Sequence, residues 1–560
     1  MIKPCYVDLG QLQTHVLAGG RGPALVMLHA LPLWSKSLLP LATQLADRQT
    51  VILPDIPGYG LSDPLPPERN DLAAQADWLL RLLDALGVGA FALHAAEDSA
   101  ALAVMLLRVA APRITALILE DPCVLSATER QTLLADGLAD LRPDPSGSHL
   151  VRIWDAVRSR FLFRPREFPR LANRLDRDMP PPEQLDELVK AYMRAGTDPH
   201  AGVRRTLAES AGCTLESIDA PPPTLLLCDP RCADDRLPKG RSLSVARLAA
   251  DPAPRAAAIE RFLADHAGAA APALRWPSLG SLPTGRFSRV FIPVPGGHLH
   301  ARISPSGSKP AVIGLHDPAG SHALVMPFIA GLAADRPVIA LDLPGNGESD
   351  NVLGAGEIGA ADYARAVIDA LDALGIDAVD VIGRYSGGPV AMEMAFARPQ
   401  LVRHVVIAAV AIYPPDEVDT LMRHYTPSVR PQRDGSHLLL AWHNMKNQAL
   451  FWPWFRQTRE GIVWGEPLLD PVLLHQRVFD LLRVGDLYRV AYAALWNYPM
   501  AQRLPALRTP TLLCAPAWDP IYAGLAEVQQ LAPAHQSLTL PPKFADWVPH
   551  FAQFFDAEVG

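Results

Sequence analysis

Short apolar runs bounded by turn residues recur along the second half of this 560-residue chain: "RVFIPVP", "HLHARIS", "AVIGLH", "PVIALDLPG", "AVDVIG" and "HVVIAAVAIY". Helical segments separate the later ones, from about Tyr363 to Leu374 and from about Gly388 to Arg398. Strands that alternate with helices of this length predict a mostly parallel sheet covered on both faces. A longer, aromatic-rich and largely helical stretch, about 414–503, breaks the alternation. The chain then returns to the pattern with "TPTLLCAPAWDP" and a last helix near 546–557.

The first half repeats this pattern. "LVMLHALP" answers to "VIGLHDPAG", and "LPDIPGYGLSD" to "ALDLPGNGESD", both at a shift of 287. After one inserted residue the shift becomes 288. It then relates Glu97 to Tyr385, "GSHLVRIW" to "GSHLLLAW", and Pro165 to Pro453. A register held over so many segments predicts two homologous domains. They are read as 1–267, with a helical insertion at about 124–220, and 288–560, with its insertion at about 414–503. The Ala-, Gly- and Pro-rich stretch 268–287 is the linker between them.

Several motifs carry chemistry. "GRYSGG" has glycines at 383, 387 and 388, which let a strand turn sharply into a helix and display one side chain at its tip. That order of His-containing turn, "DLPGNGESD", "GRYSGG", insertion, "LLCAPAWDP" and terminal helix resembles the α/β-hydrolase superfamily, over essentially all of both copies. The resemblance implies two tandem α/β-hydrolase domains, each a mostly parallel sheet flanked by helices and covered by a helical cap. It also implies a nucleophile at the tip of the turn, a histidine base in the last loop and an acid after a late strand. Tyr385 stands where the nucleophile is expected, with Ser386 as the frame-shifted alternative. The loop "LPPKFADW" holds no histidine, and Asp519 keeps the acid position.

The resemblance therefore implies a non-standard site in 288–560. Tyr385 orients a substrate or exchanges a proton, or else simply fills a decayed pocket. His437 hangs over it as a substitute base or merely packs the cap. "LHDPAGS" supplies an oxyanion turn through His316, Asp317 and Gly320, where backbone N–H groups can face a developing negative charge. Trp442, His443 and Trp452 line an aromatic pocket for a small hydrophobic carbonyl or ester-like substrate. The first copy, with Glu97, Asp98, His29 and His149 at the matching places and Ala95 and Ser99 in place of glycines, reads as a degenerate and mainly structural partner. A non-catalytic ligand-binding or scaffold protein is the competing reading.

Composition narrows the partners. A formal net charge of −8 leaves no basic footprint for nucleic acid. No apolar run approaches the ~18 residues of a membrane span, and no signal-peptide pattern opens the chain. Six scattered cysteines, at 5, 123, 213, 228, 232 and 514, complete no zinc site. A cytoplasmic protein with no metal and no cofactor is expected. Contact between its two domains is also expected, and a homo-oligomer is compatible with the sequence.

Overall fold

A computed structural model describes residues 1–557 apart from 123, 241–242, 267, 269–272 and 355. Cys123, part of the expected linker and the last three residues of the second domain therefore lie outside the described residues. The chain forms two compact units, 1–277 with 431–435, and 278–430 with 436–560.

The first unit holds strands β1 (Lys3–Asp8), β2 (Gln13–Gly20), β3 (Ala24–Leu28), β4 (Thr50–Pro54), β5 (Phe91–Ala96), β6 (Ile114–Glu120), β7 (Thr224–Cys228) and β8 (Leu243–Arg247). The second holds β9 (Ser288–Val294), β10 (Gly297–Ser304), β11 (Ala311–Leu315), β12 (Val338–Leu341), β13 (Val379–Arg384), β14 (Val402–Ala408), β15 (Thr511–Pro516) and β16 (Gln536–Leu540). The spatial orders are the same, β1-β2-β4-β3-β5-β6-β7-β8 and β9-β10-β12-β11-β13-β14-β15-β16. In each sheet the second strand runs antiparallel to both of its neighbours, β2 to β1 and β4 and β10 to β9 and β12, and the remaining pairs are parallel.

Strands β3 and β11 are apolar at every position rather than alternating because helices cover both faces. β3 and β11 have no exposed residue. Each Val, Leu or Ile buried there contributes roughly 1.5–3 kcal/mol relative to exposure.

The insertions fall between β6 and β7 and between β14 and β15, as the sequence pattern predicts. Helices Ser148–Leu162 and Ser436–Gln448 occupy matching places. So do two isolated bridges, Phe163 with Arg174 and Phe451 with Ile462, again 288 residues apart.

A buried carboxylate ties the turn after each third strand to the rest of its sheet. Asp342 accepts four N–H groups: His322 N (2.5 Å) and Nδ1 (2.9 Å) on Oδ1, and His300 Nδ1 (2.8 Å) and Glu348 N (3.0 Å) on Oδ2. Burial alone would raise this carboxyl, but the two histidines hold it well below the usual carboxylate range. Asp55 repeats the arrangement with Ser35 N, His15 Nδ1 and Leu61 N. Asp342→Ala strands four donors and is expected to destabilise the second domain by roughly 3–5 kcal/mol. Urea denaturation of the full chain reads this, and a loss below about 1 kcal/mol would show that the carboxylate does not organise the domain.

Candidate functional site

At the tip of the second elbow Tyr385 adopts φ 47°, a left-handed conformation costly for a bulky residue. The glycines around it are sterically required. A Cβ on Gly383 would lie 2.2 Å from the Gly387 carbonyl oxygen, and one on Gly387 2.4 Å from that of Leu315. The Tyr385 hydroxyl donates to Asp519 Oδ2 at 2.6 Å and accepts from Arg384 Nη2 at 3.3 Å. The Arg384 guanidinium also lies over the Tyr385 ring at 4.4 Å, and over Phe544 of the last loop at 5.4 Å.

Burial pushes the phenol well above its usual value, against the pull of Arg384 and helped by Asp519. Burial likewise raises Asp519. The phenol is therefore a neutral donor to the acid, with no imidazole between them. His437 is buried in the first turn of the cap helix and makes no hydrogen bond to Tyr385. Ser386 begins the elbow helix in ordinary helical backbone.

Other expectations need correction. Trp442 is fully buried inside the cap, while its neighbour His443 is exposed. Adjacent helical residues point about 100° apart, so the two cannot share a pocket wall. Trp452 instead joins a cluster around Tyr425, with ring centroids 5.4 Å apart, that also takes in Trp454, Tyr492 and Trp496.

In the oxyanion turn Ala319, not Gly320, takes the left-handed conformation. A Cβ on Gly320 would meet Leu324 and the Asp317 carbonyl, so the glycine serves internal packing. His316 accepts Leu343 N–H at Nε2 (3.0 Å) and bonds the Asp317 carbonyl through Nδ1 (2.6 Å). His29 does the same between Ile56 and Ala30. With both ring nitrogens committed and burial lowering their basicity, these histidines are architectural. The cleft beside Asp317 measures about 10 Å³, space for about one water.

The first copy departs further from expectation. Glu97 adopts φ 46°, so the elbow persists without its glycines. The left-handed residue is the tip itself, and the flanking sites need only be small. The turn opens with a 3-10 segment, Glu97–Ser99, where the second copy enters an α-helix at Gly387.

Three cap arginines converge on Glu97. Arg160 Nη2 and Arg164 Nη2 lie 2.9 and 3.5 Å from Oε1, and Arg166 Nη1 lies 3.1 Å from Oε2. Burial favours the neutral acid, but these guanidinium groups outweigh it and keep Glu97 ionised. Burial pushes its neighbour Asp98 up to about 6, with Arg166 opposing and Glu97 reinforcing. Glu97, Asp98 and the arginines line a cavity of about 430 Å³. His149 takes no part, since its Nδ1 accepts from Asp144 N within the cap. Among the described residues only His300, His322 and Asp342 have donor atoms grouped closely enough for a metal, within 4.8 Å of one another. The Asp342 oxygens there already accept four N–H groups.

A model of the alpha/beta hydrolase fold matches residues 23–162 and again 310–435. Both halves of the chain thus carry the α/β-hydrolase fold. Among curated relatives it is 35% identical over 104 residues to an uncharacterized protein of Mycobacterium tuberculosis, covering 19% of this chain and 30% of that one. It is 27% identical over 130 residues to a proline iminopeptidase of Heyndrickxia coagulans, covering 23% and 45%. The chain thus spans less than half the length of either relative. Similar solved structures include a hydrolase from Pseudomonas aeruginosa (20% identity, TM-score 0.38, 49% of this chain and 100% of that one). Another is an epoxide hydrolase from an endophytic Streptomyces (17%, 0.39, 49% and 96%).

With two tandem α/β-hydrolase folds the chain also carried a signal that sequence reasoning passed over. The 288-residue shift sets Arg160, Arg164 and Arg166 against Gln448, Trp452 and Trp454. Where the elbow shows a carboxylate the cap supplies cations, and where it shows a phenol the cap supplies an amide and two indoles. Tyr385→Phe is expected to cost about 1–3 kcal/mol, because Asp519 loses a buried donor. Adding Asp519→Asn should recover part of that loss in urea denaturation. Strict additivity of the two changes would show that the pair is not coupled.

Proposed function

We propose that this protein binds a small molecule in its N-terminal domain and carries out no serine-type hydrolysis. The observation behind this reading is the contrast in space and partners at the two elbows. The Glu97 elbow faces a cavity of about 430 Å³, within the usual range for ligand pockets. The Tyr385 hydroxyl is spent on Asp519, and the cleft beside the neighbouring oxyanion turn has room for about one water.

Glu97 is a poor candidate for a covalent nucleophile. Its two oxygens are held by three guanidinium groups, and no histidine hydrogen-bonds to it. A second reading keeps chemistry in 288–560: turnover of a small hydrophobic or aromatic carbonyl or ester-like substrate at Tyr385. What favours it is the Arg384–Tyr385–Asp519 relay, in which the phenol polarises a carbonyl once its proton turns from Asp519 to the substrate oxygen.

Assay of the full chain with p-nitrophenyl acetate and butyrate at neutral pH separates the two. The first reading expects no release above the uncatalysed rate and no fluorophosphonate adduct by mass spectrometry. Turnover abolished by Tyr385→Phe would establish the second, and an adduct on Ser386 would restore an ordinary serine hydrolase.

A further inference from the structure

The N-terminal cavity has a composition that selects among ligands. Its wall is apolar along Val104, Leu119, Leu133, Phe163, Val203 and Leu207, while Glu97, Asp98 and the three arginines meet at the elbow. Of the charged groups that line it, five are cationic (Arg130, Arg160, Arg164, Arg166, Lys239) and five anionic (Glu97, Asp98, Glu167, Glu216, Asp235). With all ten ionised the lining is neutral. An anion entering alone would leave one uncompensated charge in a low-dielectric space, which is costly.

Asp98 provides the means of compensation. Its Oδ2 is buried without a hydrogen-bond partner, and the nearest cationic nitrogen, Arg166 Nη2, is 3.7 Å away, beyond hydrogen-bonding distance. The groups that act on Asp98 are Glu97 on its own turn, Arg160 of the cap helix, Arg166 and Glu167 of the loop beyond, and Tyr59 after β4. Tyr59 stays neutral, because burial raises its phenol. Protonated on the inward Oδ2 or on its other oxygen, Asp98 is a neutral carboxyl whose side chain lines the cavity and is 28% exposed, so it no longer repels an entering carboxylate and can donate an O–H to it. The arginines already demonstrate the other half of the recognition, since they hold the Glu97 carboxylate from three sides.

We propose that this cavity is a receptor site for a monocarboxylate with an apolar tail, bound by the guanidinium cluster and taken up together with one proton on Asp98. The proposal rests on the reading that the N-terminal cavity holds a ligand, and it adds the ligand's class. The proton comes from solvent, and Asp98 and the ligand share it between two carboxylate oxygens. Ammonium ligands are repelled by the three guanidinium groups, and a dianion taken up with the one proton on Asp98 would leave a second charge uncompensated.

The sign of the pH dependence follows from Asp98. It carries its proton below about 6 and loses it above, so the site accepts the anion in mild acid and rejects it toward alkaline pH. Titrating the full chain with octanoate by isothermal calorimetry at pH 6.0 and 7.5 tests this. Both values lie above the ordinary carboxyl range of about 4 to 5, so the probe itself stays ionised.

Affinity should fall about tenfold between the two pH values, with close to one proton taken up per octanoate at pH 7.5, read from buffers of different ionisation enthalpy. Asp98→Asn, which supplies a permanent neutral donor, should bind octanoate with no such fall. Octanamide should bind wild type more weakly than octanoate at pH 6.0. Octanamide binding as tightly as octanoate, or octanoate binding equally at both pH values, would overturn the carboxylate assignment while leaving the cavity a ligand site. Binding of neither probe at either pH would overturn the ligand-site reading as well.

Discussion

A side chain held at positive φ between a parallel strand and the following helix cannot fold back into either element. It must find its partners among groups that approach from above the sheet. Both halves of this chain keep that constraint, at Glu97 and Tyr385, although neither residue is the small nucleophile the turn suits. Bulky left-handed residues cost of order 1–3 kcal/mol each, so they persist only where their surroundings hold them in place. Here the surroundings differ in kind. Tyr385 is held by Arg384 and the late-strand acid Asp519, both of the sheet domain's core, whereas Glu97 is held by three arginines of the cap.

That difference decides what each half has room to do. The phenol reaches across to the acid and occupies the path a histidine would take between them, and Phe544 fills the loop position from which a base would come. The glutamate stops short at the arginines and leaves the volume beyond it open. The elbow whose motif has eroded further in sequence thus faces a cavity of about 430 Å³, and the elbow with the better-preserved glycines has its hydroxyl tied to Asp519 beside a cleft of about 10 Å³. Erosion of a catalytic signature and loss of a binding site are separate events, because the first concerns a few reactive atoms and the second concerns the walls.

Much of the fold was legible in the sequence because it rests on local and repeated signals. The all-apolar runs of β3 and β11 and the mostly apolar ones of β5 and β13 announced a doubly covered parallel sheet, and the 287–288 shift carried through to matching cap helices and even to the Phe163 and Phe451 bridges. The sites were less legible because their contacts are long-range. Glu97 and its arginines are more than sixty residues apart, and nothing local to "RSRFLFRPRE" says that its cations point inward. Reading Ala95 and Ser99 as a lost elbow failed because the strain sits on residue 97 alone. Placing Trp442 and His443 on one wall failed because neighbouring helical residues point about 100° apart, one into the core and the other to solvent.

Hydrogen–deuterium exchange of the full chain with and without saturating octanoate at pH 6.0 tests the central claim most directly, since it reports both elbows in one sample. Added protection is expected in peptides covering residues 97–104 and 160–167, with no change over 383–390. Protection confined to 383–390, with the N-terminal peptides unaffected, would contradict it and move the ligand to the other elbow.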